Sequence, residues 1–382
     1  MENPFKYGEV VSGENFCNRE KELKEINRAI VNGYSFWMYS PRRFGKSSLI
    51  LKAFDELDDK NIITIYFDMY KLETLDDFAR EYSALLAKDL FDWKIGIKKL
   101  TQKIGKLFQN LYPKISFDSF GNPSVTLEIQ KIEDRADIET ILNIPERVAE
   151  KNNIKICIAF DEFQEVQRIK PFLINWMRSL FQFHKKVSYV FLGSKQSLME
   201  YIFTNINSPF YEFGFKMPIY PISNDDLTSY IKSRFRKTKL QIRDDTISYI
   251  LKTSRSHPHF TQYFAAVIWE MILEGFDDKN PDFNTLWMNR IIDSQSFIFQ
   301  NIYDQLSLNQ RKTLIAISNL KTEKLFSGEY RKKYDLPETS SLTSTINSLI
   351  KKFLIQKTSR SYEIMNPVFR EWIQLLHTGK QI

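Results

Sequence analysis

Over the first 220 residues, short and almost wholly apolar runs alternate with longer stretches in which apolar side chains recur every three or four positions. The runs at Phe36–Tyr39, Asn61–Asp68, Lys155–Glu162, Val187–Ser194 and Lys216–Ile222 predict five strands, buried on both faces because polar residues do not alternate along them. Between them the three-to-four spacing predicts helices. One follows the loop that begins at residue 13 and presents Leu23, Ile26, Ile30 and Val31; others begin at Lys46 and cover about 75–92, 96–111, 136–152 and 171–184. Strands alternating with helices make an α/β fold with a parallel sheet. Ile115–Ile129 breaks the alternation and reads as a small hairpin turned by Gly121-Asn122-Pro123, an excursion from the sheet.

From Asn224 the pattern is helical only, over about 225–236, 243–254, 258–274 and 282–303. The final segment reads as helices at 307–318, 327–334 and 340–351, a hairpin of 354–357 and 362–365 turned at Thr358–Ser361, and a helix at 367–377. Three helices and a hairpin in that order predict a winged helix, with the third helix as its groove-reading element and Lys357–Ser361 as its wing. The expected domains are therefore an α/β core at 1–220, a helical lid at 221–303 and a winged helix at 304–382.

Composition narrows the class. With 382 residues, 43% hydrophobic and 26% charged, the chain is long enough for two or three packed domains and too apolar for extended disorder. Cys17 and Cys157 are far apart in sequence, which argues against a disulfide framework or a zinc site. The N-terminus lacks a signal-peptide pattern and no run approaches the ~18 apolar residues of a membrane span, so a reducing, cytoplasmic location without membrane contact is expected. Residues 301–382 hold 13 basic against 7 acidic residues, six of the chain's net +7. That surplus suits a polyanion partner for the last domain and equally suits a solvated surface.

The chemistry-bearing stretch is Ser40-Pro41-Arg42-Arg43-Phe44-Gly45-Lys46-Ser47-Ser48, a loop between the first strand and the helix that follows it. Such a loop turns successive N–H groups inward at a helix N-terminus, where the dipole and unpaired donors favour phosphate. Lys46 would reach the β- and γ-phosphates of ATP and the Ser47 hydroxyl would bind Mg²⁺. Ser40 stands where the usual pattern has its first glycine, and Arg42 and Arg43 can touch phosphate or a partner, or simply be solvated. The strand ending in Asp161-Glu162 supplies the complementary pair: Asp161 for Mg²⁺ and Glu162 to polarise the attacking water, alone readable as helix caps. Asp68 ends another strand on the ligand-binding edge of such sheets, or forms a turn there. Ser194 is placed to sense the γ-phosphate, or to cap the next helix.

Taken in order, Phe16-Cys17-Asn18-Arg19-Glu20-Lys21-Glu22-Leu23, residues 41–50, residues 160–166, Phe191–Met199, Ser208-Pro209-Phe210-Tyr211, residues 256–264 and a winged helix ending at 366–373 resemble the archaeal-type AAA ATPases of the STAND class and, more distantly, the Orc/Cdc6 initiators. The resemblance implies ATP and Mg²⁺ as cofactors and a nucleotide-driven switch that hydrolyses slowly. It implies phosphate and metal roles for Lys46 and Ser47, a catalytic pair in Asp161 and Glu162, and a sensor in Ser194. It also implies a lid proline at Pro258 and an adenine-side box at Arg19 and Glu20. It departs at Ser40, at Ser256 before the lid proline, and at Phe213, where many relatives carry arginine. A winged helix of this kind implies duplex DNA or a protein as partner, and the family admits homo-oligomers. Relatives can carry a nuclease-like C-terminal extension; none is expected in a sequence that stops at Ile382.

Overall fold

The computed structural model describes residues 1–11, 16–57, 61–90, 112–117, 123–128, 135–319, 324–358 and 361–378, the two strands at 112–117 and 123–128 by their backbone. The chain divides into two compact units, Gly8–Pro221 and Met1–Tyr7 with Ile222–Ile382.

The first unit runs α1 (Glu20–Val31), β1 (Phe36–Tyr39), α2 (Lys46–Leu57), β2 (Ile62–Asp68), α3 (Leu75–Leu90), β3 (Tyr112–Phe117), β4 (Pro123–Glu128), α4 (Arg135–Asn152) and β5 (Lys155–Asp161). A single 3₁₀ turn at Phe163–Glu165 follows, then α5 (Val166–Ile169), α6 (Leu173–Phe181), β6 (Val187–Gly193), α7 (Gln196–Thr204) and β7 (Phe215–Lys216). Among the described residues the main sheet has five parallel strands in the order β2-β5-β6-β1-β7.

Strand parity distributes the core. Trp37, Phe67, Ile156, Ile158, Phe160, Tyr189 and Phe191 pack on one face under α3, α4, α6 and α7. Phe36, Met38, Cys157, Ala159, Val190 and Leu192 pack on the other under α1 and α2. Phe160 stacks on Phe191 with ring centroids 5.9 Å apart and is fully buried, so truncating it to alanine costs about 3–5 kcal/mol.

The α/β reading holds, with local differences. β3 and β4 pair antiparallel as a separate hairpin whose turn lies outside the described residues, as does the predicted helix at 96–111. The stretch read as a helix at 171–184 is the single helix α6, and the short α5 precedes it on the far side of Pro171. The fifth strand is two residues, Phe215 and Lys216, rather than seven. Pro218 and Pro221 lack the N–H a ladder needs, so the apolar run beyond Met217 cannot pair along its length.

In the second unit, α8 (Asn224–Lys237), α9 (Asp244–Ser254), α10 (Pro258–Leu273) and α11 (Phe283–Asp304) form a helical layer. After them come α12 (Leu308–Ser318), α13 (Gly328–Lys333), α14 (Thr339–Lys351), β8 (Ile355–Lys357), β9 (Tyr362–Ile364) and α15 (Pro367–Thr378), a winged helix with an antiparallel β8–β9 hairpin. The wing tip at 359–360 lies outside the described residues. Within this unit Phe299 of α11 packs on Phe369 of α15 at 5.2 Å, and Arg255 at the end of α9 pairs with Glu363 of β9.

Candidate active site

The strand order determines where a ligand fits. The connection leaving β1 runs toward β2, past β6 and β5, while the one leaving β6 runs past β1 to β7. Neighbouring strands whose connections depart in opposite directions open a crevice at their carboxyl ends, and here those ends carry the Ser40–Gly45 loop and Ser194.

The loop is shaped by two left-handed residues, Arg43 (φ 62°) and Gly45 (φ 90°). A side chain at Gly45 would meet no neighbouring atom within 4 Å, so the backbone angle and not space makes glycine fitting there. Ser40 has no positive φ, which is why a serine is tolerated at the first position of the pattern. Its N–H donates to the Gly193 carbonyl at 3.4 Å, tying the ends of β1 and β6 together.

Lys46 opens α2 and is 5% exposed; its ammonium donates to the carbonyls of Ser40 (2.9 Å) and Pro41 (3.4 Å). Burial pushes its pKa down, opposed by the charges of Glu162 and Asp161. The Ser47 hydroxyl donates to Asp161 Oδ2 at 2.6 Å, joining two residues 114 positions apart. Asp161 Oδ1 accepts the Glu162 N–H at 2.8 Å, and Oδ2 also accepts the Tyr66 phenol. Burial, then the neighbouring Asp161, pushes that phenol well above its ordinary pKa, so it stays a donor.

Glu162 is left-handed (φ 51°), which turns its side chain out of the strand line. Its Oε2 accepts the Ser194 hydroxyl at 2.7 Å and the Gln164 amide. Next to Ser194, Lys195 is paired with Glu165 at 2.8 Å. Asp68 sits opposite Asp161 in the parallel register and accepts the Tyr70 N–H at 2.9 Å, so it forms the turn at the strand exit; burial raises its pKa.

Arg19, also 5% exposed, donates to the Phe44 carbonyl (3.1 Å), the Tyr220 carbonyl (2.9 Å) and Glu22 (3.2 Å), and its guanidinium lies 5.4 Å from the Phe44 ring centre. It braces the loop from below. Glu20 lies exposed at the start of α1, and Ser48 accepts the Val11 N–H at 3.0 Å. Arg42 lies over the Tyr70 ring at 5.7 Å. Phe213 packs on the aromatic core with the Arg178 guanidinium 4.9 Å from its ring centre.

The structure thus brings Lys46 together with Ser40 and Pro41 in one hydrogen-bonded group, and Ser47, Asp161, Glu162 and Ser194 in a second. Pro258 belongs to the other unit, where it occupies the first turn of α10. Just before it, Ser256 is left-handed (φ 54°), a strained choice where glycine would be free, and its hydroxyl bonds Asn224 at 2.6 Å. Sequence reasoning missed Tyr66, Gln164 and Tyr220. A hydroxyl two positions before the strand-end Asp68 was the available signal for Tyr66; none marked the Tyr220 carbonyl.

A phosphate-cradling loop at the switch point of a parallel sheet, with a lysine, a serine–aspartate pair and a following glutamate, defines a P-loop ATPase core. The chain belongs to the family described as "ATPase domain predominantly from Archaea", matched over residues 16–209, and residues 297–375 match a probable winged helix domain. Its fold is similar to that of the Walker-type ATPase of Pyrococcus abyssi, at 16% identity with 97% of this chain and 99% of that chain covered and a TM-score of 0.64. It is also similar to the Aeropyrum pernix ORC2 protein in its ADP form, at 14% identity, 96% and 97% coverage and a TM-score of 0.50. No curated protein matches the sequence. Among the described residues no helix is long and apolar enough to cross a membrane.

Proposed function

We propose that the protein binds ATP with Mg²⁺, hydrolyses it slowly, and uses the bound nucleotide to set the conformation of its lid and winged helix, as a STAND/AAA-type switch. The observation that carries this reading is the convergence of Ser47 on Asp161 (2.6 Å) and of Ser194 on Glu162 (2.7 Å) at the mouth of one loop. In this reading the amides of Arg43–Ser48 take the phosphates and Lys46 turns from the Ser40 and Pro41 carbonyls toward the β- and γ-oxygens.

Mg²⁺ fits the donor set, since one hydroxyl and one carboxylate oxygen beside a phosphate site are what this cation takes, with water and phosphate completing its shell. When bound it neutralises charge building on the transferred group. Glu162 accepts a proton from the attacking water, and Ser194, now on its Oε2, reports the γ-phosphate by exchanging partners. Two features favour slow turnover: Glu162 is held by Ser194 and Gln164, and Phe213 packs against the aromatic core at the position where the resemblance implies arginine in many relatives. Pro258 is the proposed lid proline, at the first turn of α10, and Arg19 acts as a brace of the loop.

The test is ATP binding and turnover by the purified protein with Mg²⁺. Lys46→Ala is expected to lose both, and a Lys46→Ala protein with wild-type turnover would remove the claim.

A second property, duplex DNA binding by the winged helix, has its own support. Asp335, Glu338 and Glu371 are paired with Lys312, Arg331 and Arg370, and Glu363 with Arg255. Among the described residues no acid pairs with the exposed Lys332, Lys351, Lys352 or Lys357, and the exposed face of α14 is Ser340, Thr343, Ser344 and Asn347. Retardation of duplex DNA that fades with salt supports it; no retardation at low salt, or none lost in Lys351→Glu/Lys352→Glu, points to a protein partner instead.

A further inference from the structure

We propose that Tyr66 is a positioning residue for Asp161, holding its carboxylate in the orientation that receives the cation. This rests on the nucleotide-site reading above and adds a residue to it. Strand pairing places Tyr66 opposite Ala159 and Asp68 opposite Asp161, so Tyr66 and Asp161 lie two positions apart along the strands on the same face of the sheet. Diagonal neighbours on paired strands are about 7–8 Å apart at the backbone, a gap that a phenol spans and most side chains do not. The hydroxyl reaches Asp161 Oδ2, while the ring packs with the α1–α2 core.

Asp161 has three restraints. Its Oδ1 is fixed by the Glu162 N–H, and its Oδ2 by the Ser47 hydroxyl and by Tyr66. Ser47 is the one that must change when its oxygen turns a lone pair to a cation. The phenol is then the donor left on Oδ2, and it keeps the carboxylate from rotating away from the site. Outer partners of this kind orient metal-binding carboxylates, and their loss typically costs 10–100-fold in metal affinity.

Tyr66→Phe keeps the ring and removes only the donor. Tyr82→Phe is the control: Tyr82 is fully buried in the same unit and its hydroxyl has no partner among the described residues. The experiment is an Mg²⁺ titration of the full chain, reading the binding of a fluorescent ADP analogue, with a parallel measurement in EDTA. In Tyr66→Phe the half-saturating Mg²⁺ concentration is expected to rise about tenfold. Its affinity in EDTA and its melting temperature should stay near wild type, and Tyr82→Phe should leave the Mg²⁺ midpoint unmoved. A Tyr66→Phe protein with a wild-type Mg²⁺ midpoint overturns the positioning role and leaves the nucleotide site standing. A wild-type protein whose nucleotide binding ignores Mg²⁺ overturns both.

Discussion

Gly193 ends β6 directly before Ser194, and the space around it is already taken. A Cβ there would lie 2.4 Å from Cγ and Sδ of Met199 and 2.5 Å from Oε1 of Gln164. Ordinary contact begins near 3.4 Å, so both side chains must retreat by about 1 Å. Met199 is fully buried under the sheet and has nowhere open to go, which puts the packing cost of Gly193→Ala at about 1–3 kcal/mol. In a unit of this size that is a fall of roughly 2–12 °C in melting temperature. Gln164 carries the second effect, because its amide holds Glu162. A shift of about 1 Å in a residue that positions the reacting group can cost on the order of 10²-fold in turnover. Thermal unfolding and steady-state ATP turnover measure the two separately, and Gln164→Ala in the same background should return part of the lost melting temperature without restoring turnover. A Gly193→Ala protein that melts and turns over like wild type would refute the reasoning, since the strand end could not then be packed as described.

Other outcomes follow from the same contacts. Arg19→Ala removes a buried cation from the carbonyls of Phe44 and Tyr220 and should destabilise the first unit by about 2–4 kcal/mol by urea unfolding and weaken ATP binding, even though Lys46 is intact. Arg255→Ala leaves Glu363 half-buried without its partner and should cost the second unit about 2–3 kcal/mol, most of it recovered in Arg255→Ala/Glu363→Gln. His184, between the Tyr189 hydroxyl and Asn143, is pushed by burial from 6.5 down to about 4. The unfolded chain therefore takes up the proton first, so stability is intact above about pH 6.5 and falls as pH drops toward 4. The loss is at most about 2 kcal/mol by pH 5, and His184→Gln should flatten that slope.

The parts of the fold that were legible from sequence were those in which burial leaves a signature in residue type. Phe36–Tyr39, and Val187–Gly193 apart from Ser188, are apolar because helices cover both faces of their strands, and a run of that kind reads as a strand without further help. Met217–Ile222 has the same composition, yet its prolines cannot join a ladder, so composition overstated the fifth strand. In the site, Lys46 and Ser47 could be nominated because they open the helix after a strand and loop, and Asp161 and Glu162 because they sit where a strand stops. What spacing along a chain cannot supply is which groups meet. The two carbonyls engaged by Arg19, 25 and 201 positions away, and the phenol of Tyr66 on a carboxylate 95 positions on, exist only once the sheet has assembled.

The most direct measurement is the fate of the γ-phosphate in Glu162→Gln. With γ-labelled ATP and Mg²⁺, the variant is expected to bind nucleotide as wild type does and to retain it as unhydrolysed ATP over many wild-type turnover times. Release of labelled phosphate from Glu162→Gln at the wild-type rate would contradict the assignment of this loop and strand end as the hydrolytic site.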